Sequence, residues 1–154
     1  MSTMQREPIY AALFAFFSSL AVGASPAFKL ATRKLKVWED CEPEDTPALL
    51  MSQVSEGVEF KLGIPQKWRL HVKLFLYANT SAQADDTVIP SQIINPLLDA
   101  IQASLAVGDP FKGANTLGGL VTYCAIEGTV ETFEGVLGDT AVVVVPITAL
   151  VSSN

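Results

Sequence analysis

The residues able to do chemistry are few and far apart. His71 is the only histidine. It sits between Arg69 and Lys73 in an alternating run, so it reads as a solvated side chain on a strand face. A general base there would need a carboxylate or hydroxyl partner brought to it in space. No GxSxG elbow surrounds a serine, so a serine hydrolase has no local support. Asp85 and Asp86 could act as an acid–base pair or hold a divalent cation. Adjacent carboxylates on a helix-entry loop more commonly cap the helix and offset its dipole, and capping is the favoured reading. Glu127, Glu131, Glu134 and Asp139 run through a glycine-punctuated segment and read as an acidic sheet edge; oxygen coordination of a metal is the weaker alternative.

Gly118 and Gly119, with Gly113 before them, lack both the GxGxxG spacing and the following Lys and Ser or Thr of a phosphate cradle. They read as a tight entry into a strand. Cys41 and Cys124 are the only cysteines. With no CxxC pair they fall short of a zinc site, and two free, half-buried thiols is the favoured state, one disulfide being the alternative. Trp38 and Trp68 read as core or interface anchors. These residues lead to the expectation of no enzyme, no cofactor and no metal.

The elements that would position such residues are clearer. A chain of 154 residues, 49% hydrophobic and only 17% charged, fills one domain and suits a protein rich in interfaces. Sixteen acidic residues against ten basic ones give a net charge of −6, and no cationic patch of the kind that grips phosphate is present. The apolar run over residues 9–22 places Ile9, Leu13, Phe16, Phe17 and Leu20 on one helical stripe. Pro8 suits the first turn and Gly23 the stop. A docked core helix is the favoured reading, a cleaved secretory leader the rival; the run is too short to span a bilayer.

Residues 34–38 and 48–54 read as short strands around the acidic turn CEPEDTP. Residues 54–66 read as a long excursion or extended hairpin arm, exposed and mobile. Residues 68–79 alternate as a strand. A second helix carries the stripe Ile93, Ile94, Leu97, Leu98, Ile101 and Leu105, with Pro96 kinking it or delaying its start. Residues 120–131 and 140–151 read as two final strands. The last, AVVVVPITALV, suits a central position, but Pro146 implies full pairing on one side only. The expected fold is a single α+β domain over residues 1–154: a mixed, mostly antiparallel sheet with two amphipathic helices packed on one face. The second face then needs cover, and a neighbouring copy would supply it.

An N-terminal helix, a tryptophan-bearing strand, PALLMSQVSEG, KWRLHVKLFLYAN, IINPLLDAIQASL, TLGGLVTYCAIEGTVE and a closing VPITALV follow in that order. This arrangement resembles the tail terminator proteins of long-tailed bacteriophages, also called minor tail or tail-completion proteins, from about Ile9 onward. The resemblance implies a structural virion protein, made in the host cytoplasm, that closes into a homo-oligomeric ring of six copies on the head-proximal end of the tail. Such a ring stops growth of the tail tube protein and meets the head–tail connector protein. Genome DNA passes through its lumen without specific binding, and no membrane is involved. An acidic ring suits that passage. The neighbouring alternative is another neck or head–tail connector protein, and the distant one a small secreted acidic domain with Cys41 bonded to Cys124. Contact residues are expected on glycine-bearing loops: Glu56, Val58, Glu59, Phe60 and Lys61 on the arm, Asp85 and Asp86, and Phe111 with Lys112.

Overall fold

The computed structural model describes residues 4–81, 85, 87–106, 115–137 and 139–153. Helix α1 spans Arg6–Ser18, with Pro8 in its first turn and Ile9, Tyr10, Leu13 and Phe17 buried. These four side chains belong to the main hydrophobic core, against which Phe16 and Leu20 also pack. The Ser19 N–H makes the last α-helical bond, to the Ala15 carbonyl, and the chain then leaves the helix. Gly23 is therefore not the stop. At φ +64 it makes the turn of a small hairpin between β1 (Ala21–Val22) and β2 (Ser25–Pro26), a backbone position that favours glycine.

The remaining elements are β3 (Leu30–Thr32), β4 (Ala48–Glu59), β5 (Gln66–Asn79), α2 (Ser91–Ala106), β6 (Tyr123–Ile126), β7 (Glu131–Leu137) and β8 (Thr140–Ser153). Apart from the β1–β2 hairpin, the strands form one six-stranded sheet in the order β3-β4-β5-β8-β6, with β7 also on β8. β3 runs parallel to β4 and every other pair is antiparallel. The fold is α+β with a mixed, mostly antiparallel sheet. Its spine is the β5–β8 ladder, in register from Gln66↔Ser153 to Asn79↔Thr140.

Side chains on a strand alternate between faces. On one face Leu70, Leu74 and Leu76 of β5 meet Val143, Val145 and Ile147 of β8, and both helices cover them through Leu13, Phe17, Ile94 and Ile101. The opposite face carries a smaller cluster of Cys41, Ala48, Leu50, Tyr77 and Val142. Neither α1 nor α2 lies over it. Arg33, just beyond β3, bonds the Glu7 carboxylate of α1 and holds that carboxyl below its ordinary range.

Three segments differ from expectation for identifiable reasons. Residues 34–38 do not form a strand, because β3 already occupies the edge beside β4; the segment instead crosses the uncovered face and ends in a 3₁₀ turn, Trp38–Asp40. The arm is a regular ladder as far as Glu59↔Lys67, leaving only residues 60–65 as loop. A bulge between Gln53 and Ser55 shifts the pairing and breaks the period-two pattern by which a strand is recognised. The strand read over residues 120–131 divides into β6 and the start of β7, with Gly128 at φ +119 between them. Helix α2 begins at Ser91 and runs through Pro96 to Ala106, so the proline does not delay its start.

Pro146 shows how the sheet tolerates proline in a central strand. It pairs with Lys73 of β5 on one side. On the other, β6 ends its ladder at Ile147 and β7 begins its own at Val144. The Pro146 carbonyl, which accepts the Glu127 N–H at 3.2 Å, faces that gap. The amide hydrogen that proline lacks is missing from the same side, where no strand needs it.

Candidate functional site

Among the described residues, two apolar surfaces stand open at opposite ends of the sheet. The first is the tip of the β4–β5 hairpin, where Phe60 is 71%, Leu62 92% and Ile64 55% exposed. Its base is held firmly. The Arg6 guanidinium donates to both Glu56 carboxylate oxygens at 3.0 and 2.9 Å, the Tyr10 hydroxyl donates to Glu56 Oε1 at 2.9 Å, and Arg6 lies 5.0 Å over the Trp68 ring. Charge-assisted bonds and a cation–π contact thus tie α1 to the hairpin. Arg69 reaches Glu59 at 3.5 Å, an exposed pair contributing little. Lys61 and Lys67 flank the tip.

The second surface is an apolar groove of about 520 Å³ on the face away from α1 and α2. Phe75 and Tyr77 of β5 and Val142 and Val144 of β8 form its floor. Leu35 and Val37 form one wall, and Phe133 of the edge strand β7 forms the other. The Tyr77 hydroxyl donates to the Lys36 carbonyl at 2.8 Å, pinning the irregular wall to the floor. Leu35 and Phe133 are 53% and 46% exposed, and Glu39 stands at the rim.

Of the residues singled out from sequence, Glu56 is a structural anchor between α1 and the hairpin. Val58, Glu59, Phe60 and Lys61 follow it to the tip. Asp85 accepts the Thr87 hydroxyl at 2.6 Å and the Thr87 N–H at 2.9 Å, bonds that hold its carboxyl below the ordinary range. It therefore caps a local turn and not α2, which starts six residues later. Asp86, Phe111 and Lys112 lie outside the described residues, as does the Trp38 side chain. The groove was not foreseen: its lining comes from four separate segments, and only strand register brings them together.

His71 Nδ1 is 3.0 Å from the hydroxyl of Thr148, its cross-strand partner. Among the described residues no three His, Cys, Asp or Glu side chains are grouped to hold a metal. No described helix is long and apolar enough to cross a membrane. Cys41 and Cys124 are both free and buried, and they pack in the clusters on opposite faces of the sheet. The bond between them required by the secreted-domain alternative is absent.

Burial pushes the Cys124 thiol up to about 11 from an ordinary 9.0. The folded chain thus holds this proton more tightly than the unfolded chain. The associated stability is intact below about pH 9 and is lost as pH rises towards about 11, by linkage. Urea midpoints at pH 8 and pH 10.5 are expected to fall less in Cys124→Ala than in the wild type, and an equal fall would refute the burial argument. No protein-family model matches the chain, and no curated protein was found to match it.

Proposed function

We propose that the chain is a self-assembling structural subunit of a phage tail, a terminator that closes into a six-membered ring on the head-proximal end of the tail tube. The observation that carries this reading is the pair of apolar surfaces, tip and groove, left open at opposite ends of a sheet whose other face carries the main core. Exposed apolar patches with polar rims mark association sites. The order of elements, which resembles that of tail terminators, supplies the identity of the assembly. In this role one ring surface binds the last ring of tube protein, and the other, shaped differently, refuses a further tube subunit and meets the head connector. A net charge of −6 per copy favours passage of DNA through the lumen without adhesion.

Light scattering on the purified chain over a range of concentrations, with negative-stain images of the same fractions, tests the reading. The expected result is a sixfold mass and open rings that cap isolated tail tubes. A chain that remains single at every concentration and leaves tube ends uncapped refutes it.

A further inference from the structure

The two open surfaces are complementary, and one chain cannot bring its own pair together. Nine residues of extended β5 separate Gln66, at the hairpin, from Phe75, in the groove, a span of about 30 Å at ~3.3 Å per residue. The tip offers Leu62 almost fully, and Phe60 for the greater part, to solvent. The groove offers an apolar floor in a space of about 520 Å³, within the size range that takes up a compact apolar group. The charges around them also differ in sign. Residues 59–67 hold Lys61 and Lys67 against Glu59 alone, and Glu59 is engaged by Arg69. Residues 34–45, part of which walls the groove, hold five acidic residues against two lysines, and Glu39 and Lys36 are the charged residues in the groove lining.

We propose that the hairpin tip of one copy, led by Phe60 and Leu62, seats in the groove of a second copy, with Lys61 facing the Glu39 rim. This deepens the ring reading and rests on its premise that copies of the chain associate. A copy whose groove is filled still presents a free tip, so the contact propagates head to tail. It closes into a ring when the rotation between neighbours permits.

The test uses two full-length variants whose changed side chains are exposed in the free subunit, so the fold is retained. One removes the tip (Phe60→Asp with Leu62→Asp). The other removes the groove (Phe133→Asp), with Leu35→Asp as a second groove variant should the first melt early. Light scattering is expected to find the wild type assembled and each variant single. An equimolar mixture of tip and groove variants is expected to show twice the single-chain mass, because one intact tip and one intact groove make one contact. A tip variant that assembles like the wild type, or a mixture that stays single, overturns the docking and leaves the ring reading standing. A wild type that stops at two copies, or grows into open filaments, while the mixture behaves as expected, overturns the ring and supports the docking. A wild type that is single at every concentration overturns the docking, and overturns the ring reading as well when tail-tube ends also stay uncapped.

Discussion

A chain lacking residues 1–22 is expected not to fold. Ile9, Tyr10, Leu13 and Phe17 are each at most 3% exposed, and together they form part of the main hydrophobic core. Burying a large apolar side chain contributes about 1.5–3 kcal/mol, so the four contribute on the order of 6–12 kcal/mol. That is comparable to the whole stability of a domain, about 5–15 kcal/mol. The single change Leu13→Ala is expected to cost about 2–5 kcal/mol and still leave a cooperative transition. Thermal melts followed by far-ultraviolet circular dichroism distinguish the three chains. A truncated chain melting within a few degrees of the full-length one would show that α1 is an accessory to the core.

Gly128→Ala is expected to have the next largest effect, about 2–3 kcal/mol in urea denaturation. Two terms contribute. At φ +119 a residue with a side chain is strained by about 1–3 kcal/mol. In addition, a Cβ at this position would lie 3.2 Å from Pro146 Cγ, tighter than ordinary packing. The terms separate in a Pro146→Ala background, where the ring atom is gone and only the backbone strain persists. The substitution should therefore cost less there than in the wild type, a coupling that a double-mutant cycle reads directly. An unchanged midpoint for Gly128→Ala would mean that the handover from β6 to β7 is not conformationally constrained.

Much of the fold is legible in the sequence wherever one physical signal acts alone. Alternation over residues 68–74 is clear because one face of β5 lies under the helices, and it gives way to the apolar run 74–78 where both faces carry buried side chains. The two helical stripes stand out for a related reason, since each helix buries one side. The valine-rich run shows its central place, and Pro146 marks where its second ladder is interrupted. Legibility fails where competition between segments decides. Leu35 and Val37 have the composition of a strand, yet β3 holds the edge they would need. The bulge at Gln53/Ser55 hides the continuity of β4, and Gly128 splits what reads as one strand. Of the candidate surfaces, the arm was visible as a long exposed excursion and Phe60 was named within it. Leu62, more exposed than Phe60, and Ile64 carry no separate sequence signal. The groove carried no linear signal.

The β5–β8 seam also shapes how the chain reaches this structure. Its partners are separated by between 61 residues, for Asn79 with Thr140, and 87, for Gln66 with Ser153. Contacts of such long range form slowly, and among the described strands β6 and β7 each pair with β8 alone. Until the seam closes, AVVVVPITALV is an unpaired apolar segment of high strand propensity, the kind of sequence that stacks with its own copies. Its single proline blocks continuous cross-chain hydrogen bonding in the middle of that segment. The residue that looks like a flaw in the finished sheet thus acts as a gatekeeper against aggregation while the sheet is still being made.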